Sequence, residues 1–305
     1  MVSRSFITGD NHMRTINTML QETYGEKVYR IALNGGMTCP NRDGTLDRRG
    51  CIFCSRGGSG DFAEDPSLSI TEQIERGKAK IQKKAKHCHK FIAYFQAYTN
   101  TYAPVERLRE LFYEAISHPD IVILSVATRP DCLGEEVLNL LDELNRRKPV
   151  WVELGLQTIH ETSATWIRRG FSLSCYDAAV QQLAERGLTV ITHVILGLPG
   201  ESPEDMYATV DHVCRLPVSG IKLQLLHVLK DTDLATVYQE TPFPLFSLEG
   251  YLDVLMGCLK RLPEDMVVHR MTGDGPKRLL LAPLWSADKK KVWNAIQKRW
   301  EQENL

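Results

Sequence analysis

The sequence lacks the features that mark secreted, membrane-spanning and repetitive proteins. No apolar run reaches the roughly 20 residues that a membrane-spanning helix needs, and the opening residues, MVSRSFITGDNH, contain no signal-peptide core. No internal repeat or Gly-, Pro- or Ser-rich linker divides the 305 residues, and the formal net charge is only −1. These absences predict a cytoplasmic protein without membrane contact and indicate no particular oligomeric state.

Disulfide bonds are also not expected, although the number of cysteines is even. The chain has eight cysteines, but it is long and carries no secretion signal, which favours reduced thiols. Five of them lie far apart, mostly in apolar patterns typical of core thiols: Cys88, Cys132, Cys175, Cys214 and Cys258. The other three fall in one short segment.

Strand-length apolar runs alternate with helical patterns along most of the chain. The runs are rich in β-branched and aromatic residues and cover residues 28–34, 90–96, 121–127, 150–157, 189–197 and 220–228. This alternation predicts a parallel α/β protein, in which chemistry lies at the carboxyl ends of the strands. The pattern alone does not distinguish an open sheet from a barrel.

The three clustered cysteines follow the first predicted strand directly. Eleven residues separate Cys39 from Cys51, and two separate Cys51 from Cys54. Thiolates are soft ligands that suit zinc or iron–sulfur clusters, and three of them would leave one iron of a four-iron cluster open. The alternative is a structural zinc knuckle completed by a histidine, although no histidine lies in the loop.

The motifs NGGMTCPNRDGT, CIFC, TRPD, VELGLQT and HVILGLPGE resemble the radical S-adenosylmethionine (SAM) superfamily. They are most similar to its Elp3-like branch and to a bacterial family associated with side-chain modification of the wobble uridine of tRNA. The long first cysteine spacing is typical of this branch. The resemblance implies a partial (β/α)6 TIM-like barrel over residues 28–230, preceded by a helical extension (1–27) and followed by a capping segment (231–305).

The resemblance also implies roles for individual residues, although it assigns no catalytic residue. Three thiolates, from Cys39, Cys51 and Cys54, would hold a 4Fe–4S cluster. The residues expected to contact SAM are Phe53 at the adenine, Gln96 at the amino group, Glu153 at the ribose, Arg169 or its neighbour Arg168 at the carboxylate, and Gly197 beside the purine. Of the two arginines, Arg169 is favoured. The substrate candidates are Arg129, Asp131, Gln157, Arg270 and Asp274.

By this resemblance, one electron from the cluster would cleave SAM to a 5′-deoxyadenosyl radical, which abstracts hydrogen from the substrate. The expected partners are tRNA and an electron donor such as flavodoxin or ferredoxin. Two basic runs, at 78–90 and 289–291, offer contacts for RNA phosphates. A small metabolite or peptide substrate is an alternative, and a non-catalytic, zinc-stabilised α/β binding protein is another.

Overall fold

The computed structural model describes residues 13–273 and 275–303, in which strands and helices alternate. The strands are β1 (Tyr29–Leu33), β2 (Phe91–Phe95), β3 (Ile121–Thr128), β4 (Val150–Gln157), β5 (Thr189–Leu196), β6 (Gly220–Leu225), β7 (Val228–Leu229), β8 (Val267–Arg270) and β9 (Leu280–Ala282). The α-helices are α1 (Ile16–Tyr24), α2 (Ile70–Gln82), α3 (Val105–Ser117), α4 (Glu135–Asn145), α5 (Glu161–Trp166), α6 (Leu173–Glu185), α7 (Pro203–Cys214), α8 (Asp233–Glu240), α9 (Leu248–Leu259) and α10 (Lys289–Glu303). Among the described residues, no helix combines the length and the apolar character needed to cross a membrane.

Seven parallel strands form one curled sheet in the order β1-β2-β3-β4-β5-β6-β8. The predicted partial barrel is therefore confirmed, and each of its six predicted strands is present. The last predicted run, 220–228, divides into β6 and the short β7, which pairs antiparallel with β9. The seventh strand of the large sheet, β8, comes from the C-terminal segment, so that segment extends the barrel as well as flanking it.

The helices pack on the outer face of the sheet because one side of each is apolar. Two of them begin at capping boxes, one formed by Ser69 with Glu72 and the other by Ser202 with Asp205. Both starts carry the Ser-x-x-acid spacing that marks a capping box in a sequence. Isoleucine, leucine and valine side chains from α2, α3, α4, α6, α7 and α9 join the outer faces of the strands in one large core.

The inner face of the half-barrel is built in layers, since alternate residues of a strand point to the same side. The layer nearest the amino ends is apolar and contains Ile92, Ile123, Trp151 and Ile191, with Leu20 of α1 packed against it. Two residues further along these strands the side chains become polar, so the barrel interior changes from hydrocarbon to hydrogen-bonding groups. The apolar layer and α1 close the amino end, which leaves the carboxyl end as the entrance.

Candidate cofactor and substrate site

A cavity of about 250 Å³ lies inside the carboxyl end of the half-barrel. Its wall combines the cysteine loop after β1 with strand ends and with the segment after β8. Most of the residues singled out from the sequence line it: Cys39, Cys51, Phe53, Cys54, Gln96, Arg129, Glu153, Gln157, Arg169 and Arg270. Gly197 and Asp131 do not line this cavity, and Asp274 lies outside the described residues.

The loop that carries the cysteines is held by its own turns. Main-chain hydrogen bonds close one turn at Cys39, which accepts from Arg42 (2.8 Å), and another at Cys51, which accepts from Cys54 (3.0 Å). The guanidinium of Arg42 crosses the loop and donates to the carbonyl oxygens of Cys54 (3.0 Å) and Ser55 (2.7 Å). Gly50 has a φ of 79°, and a Cβ there would lie 2.9 Å from the Arg42 side chain. A larger residue at this position would therefore disturb the loop.

The three thiols are free, and those of Cys51 and Cys54 have hydrogen-bond donors beside them. The buried amide of Asn41 donates to Cys51 Sγ (3.4 Å). Burial raises the pKa of Cys51 to about 12 and also raises the pKa of Cys54, while Arg42 opposes the latter shift. Such thiols ionise only when a metal or cationic centre stabilises the thiolate, and the donors then remain as its outer contacts.

Across the described ranges, no three His, Cys, Asp or Glu side chains converge closely enough to hold a single metal ion. All three cysteines instead line one shared cavity. In a multi-iron cluster each thiolate binds a different iron, so three thiols that line one cavity fit such a group. The chemistry of this donor set fits it as well, because three reduced thiols are present, with an amide donor at Cys51 and a guanidinium donor at Cys54.

The floor of the cavity is a network of buried ionisable groups centred on Glu153, which is fully buried. One carboxylate oxygen accepts from Ser125 (2.9 Å), and the other accepts from His193 (2.8 Å) and pairs with Lys222. The guanidinium of Arg30 lies 3.9 Å from the carboxylate oxygen of Glu153 that Ser125 contacts. Burial alone would raise the pKa of Glu153, but the surrounding cations hold it well below its usual range.

Lys222 is the partner that balances this carboxylate. Its side chain has no exposed surface, and its ammonium lies 4.8 Å from the centre of the Tyr94 ring. Burial lowers the pKa of Lys222 to about 7, although Glu153 acts in the opposite direction. Lys222 is not among the site residues predicted from the sequence. Its signal is nevertheless present there, because a lysine inside the apolar run GIKLQLL is as costly to bury unpaired as the glutamate in VELGLQT.

Arginine side chains brace the wall beside the cysteine loop. Arg169 donates to the carbonyl oxygens of Thr158 (2.6 Å) and Phe171 (3.0 Å) and pairs with Glu161 (3.0 Å). Arg129 makes a two-pronged pair with Asp131 (2.9 and 2.7 Å) and donates to the carbonyl of Arg169 (2.9 Å). Both guanidinium groups therefore already fix main-chain segments of the wall, whatever else they contact.

Two backbone features shape the strand ends at the cavity. Gln157 has a φ of 70°, at an irregularity where β4 pairs with β5, and its side-chain nitrogen lies 2.7 Å from the position that a Cβ on Gly155 would occupy. This geometry turns the amide back over the strand end at a position that is strained for a residue with a side chain. Gly197 has a φ of 92° and faces the Phe246 ring, so its lack of a side chain serves the turn after β5.

Comparison with known proteins places these features in a family. Residues 47–213 match the radical SAM superfamily, and residues 218–302 match the radical SAM C-terminal domain. The Bacillus subtilis protein YtqA is 44% identical over 96% of this chain and 90% of its own length. The tRNA uridine(34) acetyltransferase of Dehalococcoides mccartyi is 32% identical over 53% of this chain and 35% of its own length.

Among solved structures, the fold is similar to that of the Elp3 of Methanocaldococcus infernus, with a TM-score of 0.67 and 18% identity. The match covers 89% of this chain but 63% of that one, so this chain spans less than two thirds of the Elp3 structure. With the sequence matches and the cysteine-lined half-barrel, these findings establish the affiliation: the chain belongs to the radical SAM superfamily and, within it, is Elp3-like.

Proposed function

We propose that this chain is an enzyme that cleaves SAM reductively at a 4Fe–4S cluster bound by Cys39, Cys51 and Cys54, and that it modifies the wobble-uridine side chain of tRNA. The observation that carries the proposal is the gathering of three free thiols and a polar floor around one cavity of a half-barrel. When bound, the cluster and SAM supply a 5′-deoxyadenosyl radical, given one electron from a donor such as flavodoxin or ferredoxin.

The protein's own part is to bind, orient and exclude water. Phe53, Gln96, Glu153 and Arg169 line the cavity and are proposed to surround SAM, while Gly197 shapes the turn after β5. Arg129, Gln157 and Arg270 also line the cavity and are proposed to face the substrate, with Asp131 acting through its pair with Arg129. The closed amino end of the barrel keeps bulk water away from the reaction centre.

The proposal of tRNA as substrate is supported by relatives. The Dehalococcoides mccartyi relative is named for acetyl transfer to uridine 34 of tRNA, and its matched region is 32% identical to this chain. The match covers 53% of this chain and 35% of that relative, so we carry over the tRNA substrate and not the acetyl transfer.

The two basic runs differ in their relation to the cavity. Lys83, Lys84 and Lys86 are exposed and pair with no acidic side chain in the described part of the chain. They immediately precede β2, which places them at the amino edge of the sheet, opposite the entrance. Lys289 instead lies 5.7 Å from the ring of Phe62, in the segment that follows the cysteine loop. We therefore propose that the run at 289–291 is the main contact for RNA phosphates.

The test compares wobble-uridine nucleosides, by mass spectrometry, in tRNA from cells with and without the gene. We expect a precursor nucleoside to accumulate in the deletion strain. Changing Lys289, Lys290 and Lys291 together to Glu should weaken tRNA binding. The slope of log affinity against log salt concentration should become shallower by about one for each lost phosphate contact. The matched triple change of Lys83, Lys84 and Lys86 to Glu should have the smaller effect.

Other outcomes separate the alternatives. An unchanged nucleoside profile, with SAM cleavage intact, would move the substrate to a small metabolite or a peptide. Protein purified without oxygen that holds zinc instead of about four irons and four sulfides would overturn the enzyme proposal and favour a zinc-stabilised binding protein.

A further inference from the structure

One ring nitrogen on the cavity floor has no hydrogen-bond partner among the residues that the structure describes. His193 lies on the inner face of β5 and lines the cavity, and its side chain is 16% exposed. Its Nε2 is 2.8 Å from a carboxylate oxygen of Glu153. Its Nδ1 makes no hydrogen bond with any described residue. The ring therefore has one nitrogen bound to the network and one available to a molecule in the cavity.

The network determines which nitrogen carries the proton. Glu153 is held ionised by Lys222 and Arg30, and an ionised carboxylate can only accept hydrogen bonds. The Nε2 of His193 must therefore be the donor in this contact. In a neutral imidazole the other nitrogen then has a lone pair, so Nδ1 is a hydrogen-bond acceptor.

The surroundings also keep the ring neutral. Burial, followed by the nearby charge of Lys222, lowers the pKa of His193 to about 4, and Glu153 offsets only part of this shift. The charged and titratable groups that face this part of the floor come from five strands and are Arg30, Tyr94, Glu153, Lys222, His269 and Arg270. At neutral pH the cavity floor thus presents a fixed, uncharged acceptor.

We infer that His193 is a substrate-binding residue, whose Nδ1 accepts a hydrogen bond from a neutral N–H or O–H group of the substrate. The inference rests on the proposed function and deepens it, because a uracil ring offers such a donor in its imide N–H. A substrate without this donor would leave Nδ1 desolvated and unpaired. Loss of the contact should reduce turnover about 10- to 100-fold.

The variant that tests this is His193→Gln. The amide nitrogen of glutamine takes the place of Nε2 and still donates to Glu153, whereas nothing replaces the acceptor at Nδ1. The matched control is His212→Gln. His212 makes the same kind of contact, with Nε2 2.7 Å from Asp177 and a side chain 18% exposed, but it lies on α7 and does not line the cavity.

In cells lacking the gene, we expect His212→Gln to restore the wobble-uridine nucleosides and His193→Gln to fail, at equal protein and iron content. Full restoration by His193→Gln would overturn the inference. A nucleoside profile that does not respond to deletion of the gene would instead refute the tRNA proposal. In that case the inference on His193 is tested by a measurement that needs no substrate.

That measurement is ¹⁵N NMR of histidine-labelled full-length protein, with the His193 signals assigned by their loss in His193→Gln. We expect a neutral ring protonated at Nε2 throughout pH 8 to 5. A ring protonated at Nδ1, or one that titrates near pH 6.5, would overturn the inference, because Nδ1 would then not be an available acceptor.

Discussion

Removing the charge of Lys222 should destabilise the folded protein, because Glu153 would lose its buried ionic partner. Lys222→Met keeps the length of the side chain but deletes the charge that faces the fully buried Glu153. Leaving a buried carboxylate without its partner typically costs 3–5 kcal/mol. The carboxyl can limit this cost at pH 7 by taking up a proton, and raising its pKa from about 4.5 to 7 corresponds to about 3 kcal/mol. We therefore expect about 3 kcal/mol of destabilisation at pH 7.

The loss should shrink as the pH falls, because protonation of Glu153 becomes easier. At pH 5, protonating the carboxyl costs less, and the expected destabilisation by Lys222→Met is under about 1 kcal/mol. For a chain of this length, the entropy of unfolding converts these values to a thermal midpoint lowered by about 5 °C at pH 7 and by 1 to 2 °C at pH 5. Circular dichroism melts of anaerobic, cluster-loaded protein at both pH values measure the difference.

The matched control is Lys78→Met. Lys78 pairs with Glu75 and Asp120 at 2.7 Å each, but these carboxylates are 55% and 35% exposed, so water replaces the lost partner. We expect a shift of at most about 2 °C, independent of pH between 5 and 7. A Lys222→Met midpoint within 1 °C of wild type at pH 7, or equal shifts at both pH values, would refute the reasoning. Adding Glu153→Gln to Lys222→Met should recover much of the loss at pH 7.

Two further predictions concern the thiols and the floor. Cys51→Ala should lose most of the iron and the visible absorbance of anaerobically purified protein, while Cys175→Ala, outside the cavity lining, should keep both; full iron retention in Cys51→Ala contradicts the ligand assignment. Because the pKa of His193 is lowered from about 6.5 to about 4, the unfolded chain binds a proton in that interval that the native protein does not, so stability should fall as pH drops through it. Urea midpoints should fall less steeply with pH in His193→Gln than in wild type and His212→Gln, and identical slopes would show that His193 is not buried as described.

Much of the fold could be predicted from the sequence because its signals are local. Strands such as β4 (Val150–Gln157) are continuous apolar runs, and the helix starts at Ser69 and Ser202 carry their own capping residues. The barrel itself needed the family resemblance, since alternation of strands and helices is equally compatible with an open sheet. The pairing of β8 with β6 could not be predicted from the sequence, because a four-residue strand in a loosely patterned segment does not specify which strand it pairs with.

The candidate site was predictable where a motif is compact and less so where distant residues meet. The cysteine loop is one segment, so its thiols could be identified together. Glu153 stands out in the sequence as a charge in an apolar strand, but its partners Arg30 and Lys222 come from strands far away in the sequence. Which charged side chains pair with each other depends on the order of the strands in the sheet and on the register of β5 with β6, where His193 lies opposite Lys222. That information is tertiary and is absent from single-strand patterns.

The composition of the inner face argues that the polar floor serves binding more than folding. One layer below it, Ile92, Trp151 and their neighbours fill the barrel with hydrocarbon. Well-packed apolar side chains commonly replace a buried ion pair without loss of stability, so a second apolar layer would have served the fold at least as well. Glu153 and Lys222 instead remain where the cavity begins, and they hold His193 in one protonation state facing it. A rigid floor that costs stability yet presents one defined acceptor is what recognition of a buried substrate group requires.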